Sequence, residues 1–124
     1  MNKALWFLIA LLIVGGVVWL IKTPGKVGKL DTFAVCIKES GAKFYGAFWC
    51  PHCQNQKALF GSSARLLPYI ECSTPDGKGQ MPICEQAEVE GYPTWKFSDG
   101  TVKSGEVLLE MLAELTNCPI PTQE

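Results

Sequence analysis

Apolar residues run without a break from Ala4 to Ile21, a stretch of the length that predicts a membrane-spanning helix. A helix of that length spans roughly 27 Å at about 1.5 Å per residue, close to the thickness of a bilayer's hydrocarbon core. Lysines bracket the stretch, and a tryptophan lies near each of its ends, where interfacial aromatic side chains belong. The pattern therefore predicts a transmembrane helix over residues 4–21, within a membrane anchor that covers residues 1–22.

A cleaved signal peptide would also begin with an apolar stretch near the N-terminus. This stretch is long for the apolar region of a signal peptide, and no A-x-A-like cleavage site follows it. These two features favour an uncleaved signal anchor. The lysines at positions 22, 26 and 29 follow the stretch and weakly favour the opposite orientation by the positive-inside rule.

Beyond the anchor, three segments are predicted to be helices with one apolar face or with typical start signals. The apolar positions of the first follow the i, i+3, i+4, i+7 pattern: Leu30, Phe33, Ala34 and Ile37. Asp31 is the predicted cap of this helix and Gly41 its predicted end. A second helix is predicted over Met81–Glu90 with Pro82 in its first turn, and a third after a cap at Ser104. The predicted buried face of the third consists of Val107, Leu108, Met111, Leu112 and Leu115.

Four segments have the composition and length of strands: Ala42–Phe48, Tyr69–Cys72, Thr94–Phe97 and Thr101–Lys103. The last two flank a tight turn at Ser98–Gly100, and a helix over Gln54–Phe60 follows the first. Two β-α crossovers followed by a hairpin and a helix predict an α/β fold, a mixed four-stranded sheet flanked by helices. This domain is predicted over residues 30–118, after a Gly- and Pro-containing linker at 23–29 and before a tail at 119–124.

Composition narrows the function classes and the compartment. The chain has 124 residues and a net charge of −1, and no basic patch favours nucleic-acid binding. Six cysteines are many for this length, and the even number is typical of disulfides formed in an oxidising compartment. The cysteine count therefore places the domain on the extracytoplasmic side of the membrane, against the weak charge signal.

The most informative motif is Cys50-Pro51-His52-Cys53, which lies where a predicted strand ends and a predicted helix begins. Unpaired N–H groups and the dipole at a helix N-terminus favour the Cys50 thiolate, the reactive form of cysteine. Pro51 suits the first turn because its missing N–H would have no partner there. Cys50 is the predicted nucleophile, Cys53 the leaving or resolving thiol, and together they would form a redox-active disulfide. His52 is predicted to stabilise the Cys50 thiolate, which makes such a disulfide a stronger oxidant.

The same cysteines have three simpler interpretations: a haem attachment site, a zinc site or a purely structural disulfide. Haem attachment requires C-x-x-C-H, whereas Gln54 follows the motif here. A zinc site would need Cys72 and Cys84 as further ligands, and their spacing does not repeat the paired C-x-x-C of a zinc ribbon. A purely structural disulfide across two intervening residues is uncommon, and a lone histidine is more often a surface residue than a participant. Redox activity is favoured because the strand, the C-x-x-C and the helix occur together.

Several segments together carry a family resemblance. Trp49–Cys53, followed far downstream by Gly91–Thr94, resembles the thioredoxin-fold proteins, and the Pro-His dipeptide is similar to that of the bacterial oxidising enzymes of the Dsb class. Lys43–Cys53, Tyr69–Cys72 and Gly91–Trp95 resemble the thioredoxin-like domain found fused to vitamin K epoxide reductase homologues. This last resemblance covers about residues 33 to 117 and is far more specific than a C-x-x-C alone.

The resemblance implies roles for residues around the motif. Pro93 would be the cis-proline of the fold, in a loop whose backbone pairs with the substrate chain, so that its neighbour Tyr92 would contact substrate. Trp49 would cover the active site, although its simplest role is core packing. Six residues before the first cysteine the family commonly holds a buried carboxylate, but Phe44 occupies that position here. The proton transfer assisted by that group is therefore in doubt, with Glu71 or water as substitutes.

The other four cysteines are predicted to form two disulfides. The resembling domain has a pair that corresponds to Cys72 and Cys84, which flank a Pro- and Gly-rich turn. A bond there would stabilise the fold by about 3 kcal/mol in the chain-entropy model, and it is either a structural staple or a relay to the active-site pair. Cys36 and Cys118 then pair by elimination only, because six cysteines allow fifteen connectivities.

The sequence thus predicts a single-pass membrane protein with an extracytoplasmic thiol–disulfide oxidoreductase domain that oxidises the thiols of secreted proteins and needs no cofactor. Its expected partners are protein thiols, the lipid bilayer and a quinone-linked membrane protein resembling a vitamin K epoxide reductase homologue. A reductase or isomerase is the alternative within the enzyme class. A metal-binding or metal-delivery module that uses Cys50 and Cys53 as ligands is the alternative outside it.

Overall fold

The computed structural model of the chain describes residues 2–22 and 26–122. Five α-helices, four strands and one 3₁₀ helix follow one another within these residues. The helices are α1 Lys3–Lys22, α2 Asp31–Glu39, α3 Pro51–Ala58, α4 Pro82–Gln86 and α5 Leu109–Thr116, with the 3₁₀ helix at Gly61–Leu66. The strands are β1 Lys43–Gly46, β2 Tyr69–Glu71, β3 Thr94–Lys96 and β4 Val102–Ser104.

Helix α1 matches the predicted apolar segment and extends it by one residue at each end. Within the described residues it is the one helix long and apolar enough to cross a membrane, a test that a signal sequence would also pass. Its apolar side chains are exposed, as the tryptophans at positions 6 and 19 illustrate. The helix is therefore compatible with a single-pass anchor. Residues 23–25 of the predicted linker and 123–124 of the predicted tail lie outside the described residues.

The four strands form one mixed sheet in the order β2-β1-β3-β4. β1 runs parallel to β2, with Phe44 opposite Tyr69, and antiparallel to β3, with Phe44 opposite Trp95. β3 and β4 form the predicted antiparallel hairpin. The parallel pair requires a crossover connection, which α3 and the 3₁₀ helix supply. This topology confirms the predicted thioredoxin-like fold.

The core lies on both faces of this short sheet. On one face, the Phe44 ring stacks on Trp95 at a centroid distance of 4.7 Å, and side chains of α2 and α5, such as Phe33 and Leu112, close the cluster. On the other face, Tyr45 packs in a smaller cluster with residues on and around α4. Burying one large apolar side chain stabilises a fold by about 1.5–3 kcal/mol, so the aromatic stack in the sheet is a large contribution.

Several predicted helix boundaries are wrong. The helix predicted over Gln54–Phe60 is α3, which begins earlier and ends earlier, at Pro51–Ala58. α4 ends at Gln86, well before Glu90, because Glu88 adopts the left-handed conformation, with φ 54°, that terminates helices. Ser104 is not a helix cap but the last residue of β4, and α5 begins only at Leu109. The reason is that the intervening segment is held by hydrogen bonds to α3 at Val107, so the chain cannot enter a helix there.

This later start changes which apolar side chains of α5 are buried. Val107 and Leu112 lie in the core as predicted, and Leu115 is partly buried. The predicted burial of Leu108 and Met111 is wrong, since their side chains are 66% and 42% exposed. Leu108 is the residue that precedes the helix, so it does not take part in the helical face.

Asp31 does not cap α2, and that prediction is also wrong. No side chain caps this helix, and Asp31 is its first residue. The carboxylate instead accepts two hydrogen bonds from the Arg65 guanidinium, at 2.7 and 2.8 Å. Arg65 holds the pKa of Asp31 well below its ordinary value. The pair joins the start of α2 to the 3₁₀ helix across the domain.

Candidate active site

The cysteine motif is positioned by the end of β1 and the start of α3. Cys50 is the N-cap of α3, with extended backbone angles, and Pro51 is the first helical residue. The Cys50 carbonyl accepts the N–H of Gln54 at 3.2 Å, which is the first bond of the helix. The Cys50 sulfur therefore lies at the N-terminus of a helix, where unpaired N–H groups favour negative charge.

The two thiols differ in their surroundings. Both are free in the structure, so the pair is seen in its dithiol form. Cys50 is 5% exposed and Cys53 is fully buried. Burial raises the pKa of Cys53 to about 12, and a hydrogen bond from the Ala47 backbone opposes this only in part. Cys53 is therefore a protonated thiol near neutral pH, which suits a group that acts after an initial attack by its partner.

The loop before β3 faces the Cys50 thiol. The Cys50 S–H donates to the Tyr92 carbonyl at 3.6 Å, and the Tyr92–Pro93 peptide bond is cis. Pro93 is buried, while the Tyr92 side chain is partly buried against the two cysteines. The structure thus brings the two predicted loop residues to the active-site sulfur.

Trp49 lies beside this loop, half exposed and not in the core. Its indole meets Tyr92 edge to face at 6.0 Å, and its N–H donates to the Ser73 hydroxyl at 2.8 Å. Phe48 next to it is also half exposed. The two aromatic side chains that precede Cys50 thus form an exposed apolar surface next to the motif.

His52 is exposed and pairs with a residue that the sequence did not single out. Its Nδ1 lies 2.8 Å from the Glu106 carboxylate, and the exposed fractions of the two side chains are 67% and 37%. Glu106 comes 54 positions later, just after β4, so no local pattern could have indicated the pair. The contact with Glu106 fixes the imidazole ring beside the motif, two residues after Cys50.

Behind Cys53, the position of the expected carboxylate is filled by an aromatic cluster. Phe44 is fully buried there and meets the Tyr69 ring edge to face at 5.1 Å. The Tyr69 hydroxyl donates to Glu71 at 2.8 Å. The other carboxylate oxygen of Glu71 accepts the N–H groups of Phe48 and Ser73, at 3.2 and 2.9 Å. Glu71 therefore joins the edge strand β2 both to the segment before the motif, at Phe48, and to the loop that follows the strand, at Ser73.

The remaining four cysteines are bonded in the structure as Cys36–Cys118 and Cys72–Cys84. Both sulfurs of the second pair are fully buried, in the cluster around Tyr45. Since thiol–disulfide exchange requires access to a sulfur atom, this burial favours the staple over the relay. Bonded in this way, Cys72 and Cys84 cannot complete a zinc site. Within residues 2–22 and 26–122, no group of three or more potential ligands is arranged to hold a metal ion.

A C-x-x-C pair at the start of a helix that follows a strand, in a thioredoxin-like fold, is typical of a thiol–disulfide oxidoreductase. Comparisons with known proteins support this class, although no family model matches the chain. Over 81 residues, or 61% of this chain and 21% of the relative, it is 52% identical to "Thiol-disulfide oxidoreductase LTO1" of Arabidopsis thaliana.

Two further relatives are named as disulfide isomerases. The chain is 30% identical to "Protein disulfide isomerase-like 5-1" of Oryza sativa, over 56% of this chain and 52% of the relative. It is 36% identical to "Protein disulfide-isomerase" of Arthroderma benhamiae, over 58% of this chain and 14% of the relative. The chain therefore spans about half or less of the lengths of these relatives. Their names support a thioredoxin-like oxidoreductase for the domain that is shared.

Proposed function

We propose that this chain is a membrane-anchored, extracytoplasmic thiol–disulfide oxidoreductase that oxidises the thiols of secreted proteins. The observation that carries the proposal is the contrast between the two active-site sulfurs. Cys50 lies at a helix N-terminus beside a histidine–glutamate pair, whereas Cys53 is fully buried. A helix N-terminus stabilises a thiolate placed there, and stabilising the dithiol form of such a pair makes its disulfide a stronger oxidant.

The reaction is two successive exchanges of sulfur partners. A client thiolate attacks the Cys50 sulfur of the Cys50–Cys53 disulfide, forming a mixed disulfide, and Cys53 leaves with the bonding electrons. A second client thiolate then attacks the client sulfur of the mixed disulfide and releases Cys50 as a thiolate. The client gains a disulfide and the enzyme gains two electrons as its dithiol.

The cellular setting of this reaction is inferred from three features. The apolar length of α1 supports a membrane anchor, and the disulfides Cys36–Cys118 and Cys72–Cys84 support an oxidising compartment. The resemblance to domains fused to vitamin K epoxide reductase homologues supports a quinone-linked membrane protein of that kind as the partner. That partner would take the two electrons and restore the Cys50–Cys53 disulfide.

The reduction potential of Cys50–Cys53 tests the direction. The full chain in detergent is equilibrated with glutathione buffers, and the dithiol fraction is read by alkylation and mass spectrometry, with Cys53→Ser as the blank. An oxidase should have a potential above about −180 mV, toward the −120 mV of strong oxidants with this fold. A value near the roughly −270 mV of thioredoxin would instead assign a reductase.

Isomerisation is the second candidate, because two relatives are named as disulfide isomerases. An isomerase corrects wrong disulfides catalytically, so the reduced chain alone should restore activity to a client whose disulfides have been scrambled. An oxidase restores activity to the reduced client but not to the scrambled one. Comparing the two clients with the same preparation separates these functions.

The side of the membrane is tested with intact cells. We expect an impermeant thiol reagent to label Cys50 from outside after mild reduction, in the membrane fraction. Labelling that appears only after lysis would refute the proposed orientation. Recovery of a soluble chain that lacks residues 1–22 would show that the segment is a cleaved signal.

A further inference from the structure

Opening and closing the Cys50–Cys53 disulfide requires a proton to reach and leave a buried sulfur. Cys53 is fully buried, and its pKa is raised to about 12, first of all by that burial. A Cys53 thiolate released by disulfide cleavage must therefore be protonated near neutral pH. In the reverse direction, the Cys53 thiol must lose its proton before it can attack. The side chains that face this sulfur decide how the proton travels.

Tyr69 approaches Cys53 across a glycine. A Cβ placed on Gly46 would lie 3.0 Å from the Cys53 sulfur, 2.7 Å from Cε2 of Tyr69 and 3.3 Å from its hydroxyl oxygen. The Cys53 sulfur and the Tyr69 side chain thus both border the small space beside Gly46, which the side chain of any larger residue at position 46 would fill. Phe44, packed edge to face on Tyr69, forms an apolar wall beside it.

Glu71 and Lys57 surround the phenol with opposite charges. The Tyr69 hydroxyl donates to the Glu71 carboxylate at 2.8 Å, and the Lys57 ammonium lies 3.6 Å from the centre of the Tyr69 ring. The nearby Lys57 charge also acts to lower the pKa of Cys53, so it favours the thiolate. Burial raises the pKa of Tyr69 itself, so the phenol stays protonated and able to pass a proton on.

This group of side chains also reaches solvent. Lys57, Arg65 and Tyr69 line an open surface cavity of about 420 Å³. Besides Cys53 and Tyr69, the charged and titratable groups on the surrounding elements are the N-cap Cys50, His52 and Lys57 of α3, Lys43 and Tyr45 of β1, Glu71 of β2 and Arg65 of the 3₁₀ helix. His52 is paired with Glu106, and Tyr45 lies in the cluster on the opposite face of the sheet. Arg65 is paired with Asp31, which leaves Glu71 as the carboxylate in contact with the phenol.

We propose that Tyr69 and Glu71 form the proton path of Cys53, with Tyr69 as the carrier and Glu71 as the acceptor. The inference deepens the proposed oxidoreductase function and rests on it. When Cys53 attacks, its thiol proton passes to the Tyr69 oxygen while the Tyr69 hydroxyl proton passes to Glu71. Cys53 becomes a thiolate, Glu71 becomes a carboxylic acid and Tyr69 is unchanged.

The sulfur chemistry then balances without any further reactant. The Cys53 thiolate attacks the Cys50 sulfur of a mixed disulfide, the Cys50–Cys53 bond forms, and the partner sulfur leaves as a thiolate with the bonding electrons. Glu71 returns its proton to solvent. In the oxidising direction the same path runs backwards, and the Glu71 acid protonates the Cys53 thiolate through Tyr69.

The test isolates the Cys53 step in the full chain in detergent. The reduced chain is mixed with glutathione disulfide, quenched in acid at successive times and analysed by mass spectrometry. The mass of the Cys50–glutathione mixed disulfide differs from that of the internal disulfide, so the second step is measured by itself. Tyr69→Phe removes the carrier, Glu71→Gln removes the acceptor, and Tyr45→Phe on the opposite face of the sheet is the matched control.

We expect the Cys53 step of the wild type to vary little between pH 6 and 8.5, because an internal base takes the proton. In Tyr69→Phe and Glu71→Gln it should be at least about tenfold slower at pH 7, a lower limit set below the roughly 10²–10⁴-fold that is usual for general-base effects. It should also rise about tenfold per pH unit, because hydroxide must then take the proton. Tyr45→Phe should behave like the wild type. A merely structural role would not change the pH profile.

Two results would overturn the inference in different ways. If both variants match the wild type in rate and pH profile, the proton does not use Tyr69 and Glu71. A tenfold rise per pH unit in the wild type itself would equally exclude an internal base. If the wild type forms neither the mixed disulfide nor the Cys50–Cys53 disulfide with glutathione disulfide, the proposed oxidoreductase function fails before the proton path is reached. Near-ultraviolet circular dichroism identifies an unfolded variant, and the other variant then decides.

Discussion

Gln56 joins the active-site helix to the segment that carries Glu106. Its side chain is fully buried on α3. The amide nitrogen donates to the Val107 carbonyl at 2.9 Å, while the amide oxygen accepts the Val107 N–H at 2.7 Å and the Trp95 indole N–H at 3.3 Å. Gln56→Leu keeps a similar volume and removes all three hydrogen bonds.

The loss of stability in Gln56→Leu should be large, because the three groups that lose their hydrogen-bond partner are buried. A buried polar group without a partner costs about 1–3 kcal/mol, and the apolar leucine offsets part of that total. We therefore expect the free energy of unfolding to fall by about 3–5 kcal/mol. Gln54→Leu is the matched control, because that side chain is exposed and makes one hydrogen bond, to the Phe48 carbonyl at 2.9 Å. Its expected cost is at most about 1 kcal/mol.

Urea unfolding of the full chain in detergent, followed by circular dichroism with the disulfides intact, measures both variants. The reasoning would be refuted by a Gln56→Leu variant whose stability lies within about 1 kcal/mol of the wild type. The substitution should also free the Val107 segment and separate Glu106 from His52. The Nδ1 environment of His52, read by NMR, should then resemble that of a Glu106→Gln variant.

Three further predictions concern the thiols, the histidine and acid stability. Cys53→Ser should accumulate a mixed disulfide with a client through Cys50, and Cys50→Ser should form none; trapping through Cys53 would reverse their roles. His52→Leu should lower the reduction potential by about 10–20 mV, since an exposed polar interaction with the thiolate contributes up to about 1 kcal/mol and 1.4 kcal/mol corresponds to about 30 mV. A higher potential, measured against glutathione, would contradict this. Arg65 holds the pKa of folded Asp31 below the ordinary value of 3.8, which applies to the unfolded chain. The Asp31–Arg65 pair therefore stabilises the fold fully above about pH 3.8, and this stabilisation is lost as the pH falls toward the lowered pKa of the folded state. Asp31→Asn should therefore lose less stability than the wild type between pH 5 and 2 in urea titrations, and an equal loss would show that the pair contributes nothing.

The parts of the fold that depend on local pattern were predictable from the sequence. The strand before Cys50 and the helix after it are encoded within a dozen residues, so their order and the N-terminal placement of the sulfur follow from the pattern. Helix ends were not predictable where distant contacts decide them. Serine is a residue type that often caps helices, so the sequence predicts Ser104 as a cap. The hydrogen bonds between Gln56 and Val107, 51 positions apart, keep the segment after Ser104 out of a helix.

The same limit applies to the site. The C-x-x-C identified the two sulfurs, and the departure at Phe44 drew attention to Glu71. The partners that complete the environment come from other elements: Glu106 lies 54 positions from His52, and the approach of Tyr69 to Cys53 depends on strand register and on Gly46. Register and long-range approach are properties of the folded sheet, which a single sequence pattern does not contain.

The Cys36–Cys118 disulfide makes a covalent ring of most of the domain, since 82 positions separate its two cysteines. Every strand and the whole C-x-x-C motif lie inside that ring. A protease that cuts one exposed loop within it, such as the turn at Ser98–Gly100, would nick the backbone without detaching either piece. The N-terminal fragment, which contains Cys36, would stay covalently bonded to the C-terminal fragment, which contains Cys118. Nicked molecules would therefore migrate as intact ones on a gel until a reductant opens the ring.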